Sequence, residues 1–333
     1  MALVLNEEHR LLQDSAREFL GANATVGALR KLRDERDTLG YSPELWQQMA
    51  ELGWASIILP EAYGGLDFGF TGLGVVMEET GRTLTASPLF ASAVIGASVI
   101  LLGGDEQQKN TLLPEIAAGK LTLALALEES HHHRPCHIST TAVAKDGRYV
   151  ISGSKTFVLD GHSADQLLVV ARTGGEQHSS TGLSLFLVNR DASGLEIQRT
   201  IMVDSRNAAN VSFDCVTVEE SARVGELGQA WQVLEPALDR ARVAIAAEMM
   251  GLSIEAFERT IEYLKEREQF GARIGSFQGL QHRAAHIQSE FELCRSVILQ
   301  ALSAVDETPE QLPLLASLAK AKLNELAKLV TNE

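Results

Sequence analysis

The sequence predicts an α+β fold in which a middle β domain separates two helical domains. Apolar residues recur at helical spacing over residues 6–120, give way to short β-like runs from 121 to about 224, and return to helical spacing after Gly228. At 333 residues the chain also exceeds one typical hydrophobic core, so two or three domains are expected. We place the three segments at residues 1–120, 121–224 and 225–333.

Turn-forming residues divide the first two segments into elements. In the first segment, glycine or proline punctuates the helical pattern at positions 40, 60, 64–65, 88 and 103–104. In the second, turn signals such as Asp146-Gly147 and Asp160-Gly161 lie between short apolar runs. Several strands at this spacing are typical of a barrel or a sandwich. The predicted strands are residues 149–151, 156–159, 167–171, 183–188 and 210–213.

Residues 266–282 are the most informative part of the third segment. A helical run from about Trp231 enters it, and Gly271 is expected to end that helix. We expect Arg267, Gln269 and Phe270 in its last turn, and Ile274, Phe277, Gln278 and Gln281 at the start of the next helix. A guanidinium, an aromatic ring and an amide at one corner suit a ligand with a phosphate and a flat heterocycle. The alternative is a capped turn between two core helices, with Phe270 and Phe277 as packing.

Composition excludes several classes of protein. Acidic residues number 44 against 29 basic residues, for a net charge of −15, which argues against a nucleic-acid backbone as partner. No run of 18 apolar residues indicates a membrane span, and the first residues lack a signal or transit pattern. Cys136, Cys215 and Cys294 are widely spaced and odd in number, so we expect free thiols in a reducing compartment, the cytoplasm.

Ordered motifs along nearly the whole chain resemble those of the acyl-CoA dehydrogenase family. The segment Arg-x-x-Phe-Gly, followed by Ile274 and Phe277-Gln278, resembles the place where one subunit reaches the FAD of its neighbour. Further matching motifs occur at residues 60–65, 78–82, 103–119 and 153–157. The resemblance implies a helical domain, a β-barrel domain and a helical bundle, assembled as a dimer or tetramer. It also implies FAD-dependent α,β-dehydrogenation of an acyl-CoA, with electrons passed to an electron-transfer flavoprotein.

The resemblance assigns cofactor roles to two groups of residues. Arg267, Gln269, Phe270, Ile274 and Gln278 correspond to the contacts with the neighbour's FAD. In the middle domain, Leu127, Phe157 and Leu159 occupy flavin-facing positions, but the family usually has a hydroxyl, a tryptophan and a threonine there. The family's Thr-Glu-Pro-x-x-Gly-Ser-Asp loop falls on residues 127–134. Two flavin hydrogen bonds are therefore expected to be lost.

Substrate contacts and the catalytic base are also assigned by resemblance. Asp239 and Arg242, three apart on one helix face, correspond to the substrate tunnel near the acyl-CoA; the alternative is a surface ion pair. The helix position that holds the base in some members is Ala241, and the position used by others lies past Glu333. Glu248, among apolar neighbours, is a speculative base, because burial raises a carboxyl pKa. Its alternative role is a helix–helix hydrogen bond.

The departures from the family pattern leave other functions open. Leu127, Leu159 and Ala241 favour a weakly catalytic or non-catalytic partner subunit of a hetero-oligomeric acyl-CoA dehydrogenase. A different flavin-dependent oxidation on the same scaffold is a third interpretation.

The sequence also contains a histidine-rich stretch, and a helical pattern runs to its last residues. Three histidines at 131–133, with Cys136 and His137, suggest a metal, but consecutive histidines rarely converge on one ion, so a solvated or CoA-facing loop is preferred. An amphipathic helical pattern from Pro313 reaches Val330 without a glycine stop. In the family that helix leads to a Gly-Gly segment at FAD, so we expect a longer natural chain or a truncated member.

Overall fold

The computed structural model describes residues 4–333. Its helices are α1 Glu7–Asn23, α2 Val26–Asp34, α3 Pro43–Glu51, α4 Gly69–Thr83, α5 Ala97–Gly103, α6 Glu106–Ala117, α7 Trp231–Glu266, α8 Gln278–Glu307 and α9 Leu312–Asn332. A π-helical stretch, Leu89–Gly96, precedes α5. The strands are β1 Leu123–Ala126, β2 Thr141–Lys145, β3 Arg148–Leu159, β4 Gln166–Arg172, β5 Leu183–Asn189, β6 Leu195–Ile201, β7 Asn207–Glu219, β8 Arg223–Val224, β9 Glu268–Gln269 and β10 Ala272–Arg273.

The chain folds as two compact units. The first contains the residues up to Ala28, then Phe68–Thr85 and Asp239–Glu333; the second contains Leu29–Asp67 and Ala86–Leu238. In the described part of the chain, no helix has the length and apolar character that a bilayer span requires.

The first unit is a helical bundle in which two helices cross at glycines. A Cβ added to Gly81 of α4 would lie 2.0 Å from the carbonyl oxygen of Glu248, and one added to Gly251 of α7 would lie 1.7 Å from that of Glu78. Only glycine therefore permits this close approach of the two backbones. The N-terminus of α4 is held by α8, because the Asp306 carboxylate accepts a hydrogen bond of 2.7 Å from the backbone N–H of Phe70.

The second unit is built on one eight-stranded sheet. Its strand order is β6-β7-β3-β2-β4-β5-β8, and β1 pairs in parallel with β4. Apolar side chains of these strands form a core that includes Ile151, Leu167 and Phe186. The α6 helix begins with a capping box formed by Asp105 and Gln108. The Gln108 amide also donates to the carbonyls of Ser221 and Arg223, which fixes α6 beside β8.

The structure confirms the predicted α+β class with a helical, sheet and helical order. The turn at Asp146-Gly147 is also confirmed, since φ is +51° and +76° at these residues, as a two-residue hairpin requires. The predicted separation of residues 149–151 from 156–159 is wrong. Both belong to β3, which continues past Gly153 by means of two register shifts against β7. The domain boundaries at 120 and 224 stay a prediction.

Candidate functional site

A short hairpin carries the arginine and the aromatic ring that the sequence singled out. Helix α7 ends at Glu266, so the prediction that Arg267, Gln269 and Phe270 lie in its last turn is wrong. Strands β9 and β10 pair antiparallel, which leaves Phe270 and Gly271 as the turn. Both residues have positive φ, the signature of a type I′ turn. The left-handed conformation is unfavourable for a bulky residue such as phenylalanine.

The hairpin lies at the surface of the first unit, where most of its side chains are exposed to solvent. Phe270 is 93% exposed and meets the ring of Phe277 edge-on, at 6.3 Å between centroids. Within this chain, the alternative in which Phe270 packs in a core is therefore wrong. Arg267 is exposed, and its guanidinium has no hydrogen bond or ion pair with any residue from 4 to 333.

The residues that follow the hairpin were all predicted to open the next helix, and for two of them this prediction is wrong. Ile274 lies in a 3₁₀ turn over Ile274–Ser276, and Phe277 is the capping residue before α8. The exposed Gln278 is the first residue of α8, and the Gln281 amide donates to the carbonyl of Gly275. The structure thus brings Arg267, Phe270, Phe277 and Gln278 to one corner, but through a hairpin and a turn.

In the second unit, a bulge in β3 displays Phe157. The Phe157 ring is 49% exposed, and the φ angle of this residue is +56°. Phe157 lies between Lys155 and Val158, where the register of β3 against β7 shifts. The Asn210 side-chain oxygen fixes the bulge, since it accepts hydrogen bonds from the Thr156 hydroxyl at 2.8 Å and from the Phe157 N–H at 3.4 Å. An exposed aromatic face is therefore held by backbone geometry.

The other two positions assigned to the flavin carry apolar side chains. Leu127 is buried and Leu159 is half-buried. Neither side chain offers a hydrogen bond. Asn210, which sequence reasoning missed, lies beside this region on β7.

A buried ion pair supports the loop between β1 and β2, residues 127–140. The Lys155 ammonium, on β3, donates to the Leu127 carbonyl at 3.0 Å and to the Glu129 carboxylate at 2.8 Å. Glu129 also accepts from the backbone N–H groups of Ser139 and Thr140. Burial lowers the pKa of Lys155 to about 8, against the raising effect of Glu129.

Charge on Glu129 is favoured in spite of its partial burial. Burial by itself raises the pKa of this carboxyl, but Lys155 and the backbone donors outweigh burial and hold the pKa below its usual value. Both members of the pair are therefore ionised at neutral pH. Sequence reasoning missed this pair, because Lys155 appeared only as part of a strand motif.

The far end of the same loop is held by Arg172 at the end of β4. Its guanidinium donates to six backbone carbonyls and is almost fully buried. Two of them, Cys136 and Ile138, belong to the loop; the others belong to the β4–β5 connection, namely Gly174, Gln177, Ser179 and Thr181. Arg172 thus joins two loops through main-chain atoms alone.

The histidines of the loop have two kinds of contact. His133 Nδ1 lies 2.5 Å from the Glu128 carboxylate, which also accepts from the N–H of Arg134. His137 meets His178 with 4.1 Å between ring centroids. Within the described residues, no three histidine, cysteine, aspartate or glutamate side chains are placed to hold a metal ion.

Asp239 and Arg242 on α7 form an ion pair of 2.5 Å. Asp239 is buried, and the Arg242 side chain is 31% exposed, so the alternative of a surface pair does not describe this contact. Ala241 and Glu248, on the same helix, are also buried. Ala241 has no group that accepts a proton, whereas Glu248 is a carboxyl that already has an interaction partner.

Comparisons with known proteins match all three segments. Residues 6–120, 126–216 and 228–333 match the acyl-CoA dehydrogenase N-terminal, middle and C-terminal domains, respectively. The short/branched chain specific acyl-CoA dehydrogenase of Rattus norvegicus mitochondria is 30% identical over 333 residues, covering 98% of this chain and 76% of the rat protein.

Two solved structures extend these matches. The acyl-CoA dehydrogenase from Geobacillus kaustophilus has a TM-score of 0.87 at 28% identity, covering 98% of this chain and 86% of its own. The Tcur3481-Tcur3483 steroid ACAD G363A variant has a TM-score of 0.82 at 32% identity, covering 98% and 87%. The chain therefore belongs to the acyl-CoA dehydrogenase family, FAD-dependent oxidoreductases that act on CH–CH bonds.

Proposed function

We propose that this protein dehydrogenates an acyl-CoA thioester between its α and β carbons and passes the electrons to an electron-transfer flavoprotein. The observation that carries the proposal is the hairpin, which presents the Arg267 guanidinium, unpaired among residues 4–333, near the exposed ring of Phe270. A similar solved chain, described as the electron transferring flavoprotein of Acidaminococcus fermentans, has a TM-score of 0.89 at 27% identity and is compatible with such a partner.

The residues present fit FAD at two separate places. Arg267 and Gln278 suit the phosphates and polar edges of the neighbouring subunit's FAD, with Gln269, Phe270 and Ile274 beside them. In the second unit, the exposed Phe157 suits the flat flavin ring. Bound FAD supplies the acceptor for the hydride of the β carbon. Because Leu127 and Leu159 donate nothing, flavin hydrogen bonds there must come from backbone groups.

On α7, Arg242 is the proposed contact for the acyl-CoA, and Asp239 holds its guanidinium in place. A buried carboxylate that orients a partly exposed arginine restricts the rotamers of the arginine, which favours one bound position for an anionic ligand. The α-proton needs a base, and Ala241 cannot provide one. The remaining candidates are Glu248, a carboxylate outside residues 1–333 and a carboxylate of a partner subunit.

A second function, that of a partner subunit in a hetero-oligomer, is favoured by a specific observation. The α7 position that holds the catalytic base in some family members is the buried Ala241 here. In contrast, the β9–β10 hairpin proposed to contact a neighbour's FAD is formed. One similar solved structure, the Tcur3481-Tcur3483 steroid ACAD G363A variant, is named for two proteins together, which is compatible with this function. In both functions the protein is a dimer or tetramer. Its three free cysteines support a reducing compartment such as the cytoplasm.

Absorbance and anaerobic titration test the proposal. The purified protein should be yellow, and acyl-CoAs should bleach its flavin if it is the dehydrogenase. Flavin without bleaching, with bleaching restored by a related subunit, would support the partner role. Bleaching only by compounds other than acyl-CoAs would support a different flavin oxidation.

The hairpin is tested by one variant and a matched control. Arg267→Ala should lower the flavin content, because the guanidinium has no partner among residues 4–333 and is therefore available to FAD. Arg259→Ala removes another exposed arginine, one that forms an ion pair with Glu255 on α7, and should keep it. Equal flavin content in the parent and Arg267→Ala proteins would contradict the proposed contact.

A further inference from the structure

The loop at residues 127–140 is closed at its start by one cation from inside the sheet. Lys155 is 2% exposed and reaches both the Leu127 carbonyl and the Glu129 carboxylate. Glu129 then accepts from the N–H groups of Ser139 and Thr140, at 2.6 and 3.0 Å. The Glu129 carboxylate thus joins the beginning of the loop to its end, and the Lys155 ammonium holds that carboxylate from inside the sheet.

The same strand connects this ion pair to the exposed Phe157. Lys155 and Phe157 are two residues apart on β3, and the bulge starts at Lys155. The Thr156 N–H donates to the Glu128 carbonyl at 2.8 Å, so the loop and the bulge are joined by main chain as well. Any shift of Lys155 would therefore move the loop and the aromatic ring together.

We propose that Lys155 is a positioning residue for flavin binding, which sets the loop at 127–140 and the Phe157 bulge through its contact with Glu129. The inference rests on the proposed function, because it assumes that this surface meets FAD. Lys155 itself is buried and does not touch the cofactor. Its effect passes through Leu127, Glu129 and the backbone of β3.

The charge of Lys155 is what distinguishes this role from simple packing. The charged groups that face it are Glu129, Glu128 and Arg172, of which Arg172 opposes its protonation. With a pKa of about 8, the ammonium loses its proton over the range from pH 7 to 9.5. A neutral amine keeps the volume but loses the ion pair. FAD affinity should therefore fall over this pH range.

The test compares FAD affinity by flavin fluorescence, with the full chain, at pH 7 and 9.5. The parent should lose about tenfold in affinity between the two values, as the deprotonation of one linked group allows. Lys155→Met should bind FAD at least about tenfold more weakly at pH 7 and show no such pH dependence. The control is Lys145→Met, an exposed lysine on β2, which should behave as the parent does. A parent affinity that is flat with pH, or a Lys155→Met variant equal to the parent, would overturn the proposal.

Hydrogen exchange separates this inference from the proposed function. Amides of residues 130–140 should exchange faster in Lys155→Met than in the parent or Lys145→Met, all at pH 7. If the parent does not bind FAD, the proposed function fails, and unchanged exchange would then overturn the positioning role as well. If Lys155→Met does not fold, the double variant Glu129→Gln with Lys155→Met, which leaves no buried unpaired charge, replaces it in both measurements.

Discussion

Phe270 and Gly271 share a left-handed backbone conformation, with φ angles of +56° and +76°. Together they form the two-residue turn that separates β9 from β10. A glycine tolerates this conformation without cost, whereas a phenylalanine is strained in it. The exposed ring of Phe270 is thus held out from the first unit by the backbone, and Gly271 makes that possible.

Replacing Gly271 by alanine should disturb the hairpin and lower the flavin content. A Cβ at this position meets nothing within 4 Å, so the expected cost of about 1–2 kcal/mol is purely conformational. Gly279→Ala is the matched control, because it is equally open but lies in α8, where alanine is favoured. The flavin absorbance and the midpoint temperature of thermal unfolding should fall for Gly271→Ala only. An unaffected Gly271→Ala protein would show that the turn has no role in binding.

Removing the charge of Arg242 should weaken both folding and substrate binding. Arg242→Gln leaves the buried Asp239 carboxylate without its cation, for a loss of about 1–3 kcal/mol after allowance for the partial exposure of the arginine. Adding Asp239→Asn should recover part of that stability, since no buried charge is then unpaired. The KM for acyl-CoA should rise in both proteins. If the KM of the double variant returned toward the parent value together with its stability, the pair would have a structural role alone.

A carboxylate at position 241 should create or increase dehydrogenation. The family resemblance places the base there in some members, and a general base contributes typically about 10²–10⁴-fold. We expect faster anaerobic flavin bleaching by acyl-CoA in Ala241→Glu and none of this gain in Ala241→Gln, which has the same size without a basic oxygen. Rapid bleaching by the parent would mean that it already has a base, and Glu248→Gln would then be the first variant to measure.

The three thiols should react in the order of their exposure. Cys215 is exposed, Cys136 is half-buried and Cys294 is buried. Burial raises the pKa of Cys294 to about 11, so at pH 8 only about a thousandth of it is thiolate. Because a raised pKa lowers the reactive fraction, alkylation followed by mass spectrometry should modify Cys215 first and Cys294 last. Early modification of Cys294 in the folded protein would contradict its described burial.

Local patterns predicted those parts of the fold that local forces determine. The helical spacing, the β-like runs and the Asp146-Gly147 turn each depend on neighbours in sequence, and all three are present. The hairpin at 267–273 was mistaken for a helix end because Glu266 to Gln269 are good helix formers. The Phe270 φ angle follows from strand pairing, which periodicity does not reveal.

The candidate site was predicted only where its residues carry recognisable side-chain chemistry. Arg267 and Phe157 were found because their types and order match a family pattern. The supporting residues Lys155 and Arg172 were not, since most of their partners are backbone carbonyls. A carbonyl is the same in every residue, so no sequence signal marks such a contact.

The way Arg172 binds has a consequence for how this region can evolve. Its guanidinium donates hydrogen bonds to the backbone carbonyls of Cys136 and Ile138 in the loop. Every amino acid has such a carbonyl, so most side-chain substitutions in the loop would keep these bonds. Substitutions at residues 131–133 can therefore alter what the loop recognises while the contacts that set its course are kept.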